Sequence, residues 1–233
     1  MVKYTIKLLF LLLLSSSAVQ PVFIHQNDVV AKMKKIFKNL NSYSAKFKLA
    51  SVDGRKKNSS GGTAYFKKGG KIKFKFSYPS GDEIISNGKK LWVYIAKLRA
   101  VGIQDLNYKK GGKSIYSTST YEGLVALFDR YHVKFDSLTQ PRKIKDKEYF
   151  VLALKEKVVS GGFKHIKLFV DAKHYLINKI EAKTTTGKIV KLELTNIKKN
   201  PTLKENLFTF TQKSVKRVEN ALTTEMEQDD NEN

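Results

Sequence analysis

Histidine is the side chain most often recruited for proton transfer and metal ligation. This chain has four: His25, His132, His165 and His174. No two of them stand in an HExxH spacing, and there is no cysteine to complete a zinc set. Surface or strand-edge roles are expected for each, with no metal and no cofactor. Asp82-Glu83 is a carboxylate pair, but it follows Gly81 and reads as a solvated turn. Lys109-Lys110-Gly111-Gly112-Lys113-Ser114 resembles the end of a phosphate loop. Asn107 stands where the first glycine is required, and no strand-to-helix context follows. No GxSxG places a nucleophile on a strained elbow. The chain is not expected to be an enzyme.

The residue types that remain suit binding. Ile72, Phe74, Phe76 and Tyr78 alternate with Lys71, Lys73, Lys75 and Ser77. Period two puts the apolar set on one face of a strand and the lysines on the other. The apolar face can serve as core or hold an apolar ligand under a covering element. Lys71, Lys73 and Lys75, with Lys46 and Lys48, form a cationic strip that could meet anionic lipid headgroups. The same spacing also suits a plain solvated strand face.

The elements that must position these faces can be read from periodicity. Asn27-Asp28 is a candidate cap, and Val29, Met33, Ile36, Phe37 and Leu40 follow at helical spacing, predicting an amphipathic helix over 28–40. Tyr43, Ala45, Phe47 and Leu49 then alternate with polar residues. Asn87-Gly88 between apolar runs predicts a hairpin with a two-residue turn. The chain's only tryptophan, Trp92, follows it. Tyr121, Leu124, Val125, Leu127 and Phe128 predict a short helix over 121–131. Strand patterns resume after it and run to a final strand over 207–210. The order is helix, strands, helix, strands, which is not βαβ alternation. The expectation is a mainly β (α+β) fold: a large curled antiparallel sheet or unclosed β-barrel of about eleven strands, with helices over one side.

Lys3 and Lys7, the apolar block 8–14 and Ser16-Ser17-Ala18 have the form of a secretory leader cleaved near Ala18. A signal peptide at 1–18, a single domain at 19–218 and an acidic tail at 219–233 are expected. The chain carries 44 Lys+Arg against 21 Asp+Glu, a formal net charge of +23. Such a body attracts anionic surfaces, and export argues against nucleic acid as the partner. Glu219, Glu225, Glu227, Asp229, Asp230 and Glu232 give the tail the opposite sign. Without cysteine there is no residue for lipid attachment after export, so a free, soluble mature protein is expected; a monomer is expected as well.

The run 72–79, then Ile84-Ile85-Ser86-Asn87-Gly88-Lys89-Lys90-Leu91-Trp92-Val93-Tyr94, resembles the periplasmic outer-membrane lipoprotein carrier family, LolA. The resemblance includes Ser44-Ala45-Lys46-Phe47 upstream and Leu207-Phe208-Thr209-Phe210 downstream, and covers most of the mature chain. It implies an unclosed barrel with lid helices over an apolar cavity. It implies a periplasmic carrier that takes acylated lipoproteins from an inner-membrane lipoprotein-releasing transporter to an outer-membrane receptor, or to the outer membrane itself. Other members of the wider superfamily are sensors or glycolipid-binding proteins, which is the alternative role on this fold. Under the resemblance, the acyl-chain-binding candidates on the sheet are Tyr43, Phe47, Ile72, Phe74, Phe76, Ile84 and Trp92. Those on the lid are Leu124, Leu127 and Phe128. The family's lid arginine, followed by proline, is replaced here by Lys68-Gly69, making Lys68 the candidate latch. Gln212-Lys213 stand where the family commonly has proline. Gly69-Gly70, Gly111-Gly112 and Gly161-Gly162 are candidate compliant loops.

Overall fold

The computed structural model describes residues 24–106, 119–158 and 162–219. The leader 1–18, Gly111-Gly112, the phosphate-loop-like run, Gly161 and the tail beyond Glu219 lie outside them. Helix α1 (Gln26–Asn39) precedes β1 (Ser42–Asp53), β2 (Lys56–Lys67), β3 (Lys71–Tyr78), β4 (Ser80–Asn87), β5 (Lys90–Ile95) and β6 (Ala100–Asp105). Helix α2 (Tyr121–Arg130) leads into β7 (Tyr131–Phe135), β8 (Arg142–Ile144), β9 (Lys147–Glu156), β10 (Phe163–Asp171), β11 (Ile177–Thr184), β12 (Ile189–Lys199) and β13 (Lys216–Glu219).

All thirteen strands join one sheet in the order β13-β6-β5-β4-β3-β2-β1-β12-β11-β10-β9-β7, with β8 also on β9. The path does not close. Every pairing is antiparallel except β13 on β6, which is parallel. The strand expected over 207–210 is instead a 3₁₀ turn, Glu205–Phe208, and the last strand forms further on. Phe208 is buried at the end of that turn, so its apolar pattern reflects packing of an irregular segment rather than a ladder.

Curling requires local breaks in register. One lies between Gly61 and Gly62 on β2 opposite β3, and another between Ser44 and Lys46 on β1 opposite β12. At Gly62 a Cβ would lie 2.0 Å from the Lys75 carbonyl oxygen, so only glycine lets β2 approach β3 there.

Helix α1 starts two residues before the expected position. His25 caps it: its Nδ1 accepts from Asn27 N–H at 3.3 Å, and Asp28 Oδ2 accepts from His25 N–H at 3.1 Å. This reciprocal pair orders the first turn, with an aspartate near the positive end of the helix dipole. Helix α2 is capped by Thr120, whose hydroxyl accepts from Gly123 N–H at 3.1 Å.

The Asn87-Gly88 hairpin also differs from expectation. Ser86 pairs with Leu91, so the loop is longer than a two-residue turn. Asn87 Oδ1 accepts from Lys89 N–H and Lys90 N–H, both at 2.9 Å, and only Gly88 takes positive φ. The asparagine thus folds the loop by side-chain hydrogen bonding. A Cβ on Gly88 would lie 2.0 Å from the Gly69 carbonyl oxygen, which makes glycine obligatory where this hairpin meets the β2–β3 turn.

Candidate functional site

The strands place one parity of side chains on the concave face. Tyr43, Phe47, Ile72, Phe74, Phe76 and Ile84 join Leu124, Leu127 and Phe128 of α2 in a single buried cluster. Val29, Met33 and Phe37 of α1 enter the same cluster, as do Leu152, Leu168, Ile180 and Leu192 from the second half of the sheet. Ring geometry ties the layers together. Tyr43 stacks on Phe66 at 4.2 Å, Phe47 meets Phe74 and Phe76 edge-on at 4.9 Å each, and Phe37 meets Tyr43 edge-on at 6.2 Å. The two helices cover the concave face as a lid. Lys34 Nζ on α1 lies 5.8 Å from the Phe128 ring centroid on α2, linking them.

Trp92 is the exception among the ten apolar candidates. Leu91 and Val93 face the main cluster, while Trp92 packs on the other face with Tyr94, Val101, Ile103, Phe210 and Val215. The reason is register: Val93 is opposite Ile84, whereas Trp92 is opposite Ile85 and Ile103. Trp92 therefore does not line the concave face.

At the C-terminal end of α2, Arg130 pairs with Glu156 at 3.2 Å and Lys157 Nζ donates to the Asp129 carbonyl at 2.8 Å. On α1, Lys32 Nζ donates to the Tyr175 hydroxyl at 3.2 Å. The N-terminal corner of α2 is fastened separately. The Tyr43 hydroxyl donates to the Ser119 carbonyl just before α2. Burial pushes the Tyr43 pKa well above its ordinary value, so the hydroxyl stays a donor. Gly69 N–H donates to Glu122 Oε1 in the first turn of α2 at 3.2 Å. Gly69 and Gly70 both have positive φ, which aims that amide toward the helix. Lys68, the expected latch, is exposed, and its backbone N–H donates to Asn41 O at 2.9 Å. Lys68 borders a cavity of about 20 Å³ with Tyr43, Phe66, Ser119 and Tyr121, room for one water. At this corner the polar contacts thus come from Tyr43 and Gly69. Ser119 Oγ and Glu122 Oε2 are buried there without a protein hydrogen-bond partner among the described residues.

The convex face carries the lysine strip, but it is not uniformly free. Lys71 pairs with Glu205 at 2.7 Å and Lys73 with Glu83 at 3.0 Å. Lys46 Nζ donates to Thr63 Oγ1 at 3.1 Å, while Lys48 and Lys75 are exposed. Lys73 and Lys46 are taken up by the neighbouring strands, Lys71 by a C-terminal strap, residues 200–219, part of which periodicity presents as a strand over 207–210. Ser42 Oγ donates to Pro201 O at 2.6 Å, and Lys67 joins Lys71 on Glu205 at 2.6 Å. The strap then buries Phe208, sets Phe210 against Tyr94 at 5.6 Å, and ends as β13.

An unclosed antiparallel sheet whose concave face is filled by helical side chains defines the class: a half-barrel with a helical lid. The profile described as Outer membrane lipoprotein carrier protein LolA matches residues 38–211, and the chain belongs to that family. It is 23% identical over 184 residues to an outer-membrane lipoprotein carrier protein of Methylococcus capsulatus, covering 77% of this chain and 82% of that protein. A protein of the same description from Legionella pneumophila (strain Corby) is 26% identical over 159 residues, covering 67% and 71%. Among solved structures, an uncharacterized conserved protein from Thermus thermophilus superposes with a TM-score of 0.54 at 10% identity, covering 83% of this chain and 98% of that one.

Proposed function

We propose that this chain is a periplasmic carrier that shields the acyl chains of lipoproteins on its concave face and moves them from the inner to the outer membrane. Its donor would be an inner-membrane lipoprotein-releasing transporter. Its acceptor would be an outer-membrane receptor or the outer membrane itself. Family membership and the relatives' descriptions support the carrier role, and the leader-like residues 1–18 support export. Among the described residues no helix is long and apolar enough to cross a membrane.

One observation carries the reading. The concave face is lined mainly by apolar side chains, and what covers it is two helices that pack on it through apolar side chains and are held by polar contacts only at their rims. Leu152, Leu168, Val170, Ile180 and Leu192 have no exposed surface, so an acyl chain can enter only by displacing helical side chains. Val29, Met33, Phe37, Leu40, Leu124, Leu127 and Phe128 each contribute about 1.5–3 kcal/mol on burial, on the order of 10–20 kcal/mol gross. A palmitoyl-length chain at roughly 0.8 kcal/mol per methylene offers about 12 kcal/mol. The exchange is near balance, which suits a carrier that must both load and release.

The test is mass spectrometry of native protein purified from membrane-containing extracts. Co-purifying lipoprotein or lipopeptide is expected. Protein that stays lipid-free, and takes up no acylated peptide when offered it in detergent, would sink the reading.

A further inference from the structure

Six large apolar side chains are exposed among the described residues: Tyr78, Ile95, Leu98, Leu138, Val158 and Val218. Four of the six gather at one end; Leu138 follows β7 at the opposite end and Val218 lies within the edge strand β13. Antiparallel pairing brings the β1–β2, β3–β4, β5–β6, β9–β10 and β11–β12 turns to one end of the sheet. Tyr78 stands at the β3–β4 turn, Ile95 and Leu98 at the β5–β6 turn, and Val158 after β9. Tyr78 and Leu98 are 69% and 64% exposed. Their turns touch: a Cβ on Gly81 would lie 2.9 Å from Ala96 Cβ, and Ala96 N–H donates to Asp82 Oδ1 at 2.8 Å.

The same end is basic. Arg55, Lys56 and Lys57 are exposed at the β1–β2 turn, and Lys97 and Arg99 flank Leu98. Lys183 and Lys188 are exposed at the β11–β12 turn. Lys216, opposite Ala100, brings the start of β13 to this end as well. Against these stand Asp53, Asp82, with one oxygen committed to Ala96, exposed Asp129 at the end of α2, and Glu156, which is paired with Arg130. Exposed apolar tips ringed by bases fit one kind of surface: an anionic bilayer, where apolar side chains enter the headgroup boundary and cations meet phosphates. A neutral surface would leave these bases unmatched.

We propose that this end of the sheet, led by Tyr78 and Leu98, docks on anionic bilayer surfaces. The proposal goes beyond the carrier reading, because it concerns the unloaded protein and a site outside the concave face.

The test is co-sedimentation of lipid-free protein with vesicles of phosphatidylcholine alone, or with about one-third phosphatidylglycerol. Binding is expected to the anionic vesicles only, and to weaken at high salt. Leu98→Ser, Tyr78→Ser and Lys97→Glu should each weaken it by roughly tenfold or more, since each removes an anchor or reverses a charge. Lys89→Glu, exposed at the opposite end, should stay within about twofold. All four should keep the circular dichroism spectrum and acylated-peptide uptake of the unaltered protein. Absence of anionic binding, or equal loss in Lys89→Glu and Lys97→Glu, overturns the proposal, as does full binding by Leu98→Ser.

Discussion

The Tyr43 hydroxyl on the first strand donates to the Ser119 carbonyl, so the sheet grips the chain one residue before the cap of α2. Tyr43→Phe keeps the ring on Phe66 but leaves that buried carbonyl without its donor. The cost is about 1–3 kcal/mol. Amides of α2 should exchange faster, and an acylated probe should load faster, with little change in exchange at β10 or β11. Hydrogen exchange read by mass spectrometry checks this. Uniform acceleration over the whole chain would mean that Tyr43 is only a core residue.

Lys68 and Glu122 separate two ways of fastening the lid. The family's arginine would act through its side chain, but here the Gly69 amide reaches Glu122. Glu122→Ala removes that acceptor and a favourable charge at a helix start, about 1 kcal/mol. Lys68→Ala removes an exposed ammonium, and surface changes of this kind stay within about 0.5 kcal/mol. Thermal melts should rank Glu122→Ala clearly below Lys68→Ala. The reverse order would restore Lys68 as the latch.

Glu205 ties the strap to the convex face. Its contacts with Lys67 and Lys71 hold its pKa down to about 2, from an ordinary value of 4.5. A lowered folded-state pKa means that the stabilisation is complete above about 4.5 and is lost as pH falls through about 2. The side chain is 65% exposed, so salt should weaken the effect. The protection of β13 amides, taken relative to their intrinsic exchange rate at each pH, should fall as the pH falls across that window. Glu205→Gln should show the lower protection already at neutral pH. A strap insensitive to both changes would show that Phe208 and Phe210 hold it alone.

How far the sequence reveals this molecule depends on how local each signal is. The alternation in 71–78 gives β3 and both its faces, because period two is a property of the strand itself. The helices are legible for the same reason, though the His25 cap is not, since histidine is a weak capping signal. The resemblance put Trp92 with the acyl-chain candidates, but periodicity gives it no face, because apolar residues fill both parities of β5 and only the pairing with β4 and β6 decides. The strap is misread over 207–210 because it packs by single side chains without a period. It also takes up Lys71, which periodicity presents as free.

That placement makes the only tryptophan a reporter of the strap rather than of cargo. Trp92 is half-buried in the convex cluster with Phe210 and Val215, and the sheet separates it from the concave cluster. Loading an acyl chain should therefore leave its fluorescence maximum nearly unchanged, and brominated acyl chains should quench it weakly. Phe210→Ala uncovers one side of the cluster and should shift the emission to the red even in unloaded protein. The circular dichroism spectrum should stay intact, because a partly exposed flank is lost rather than the main core. Strong quenching by a bound brominated chain, with no response to Phe210→Ala, would place the indole on the concave side and reverse the assigned register of β5.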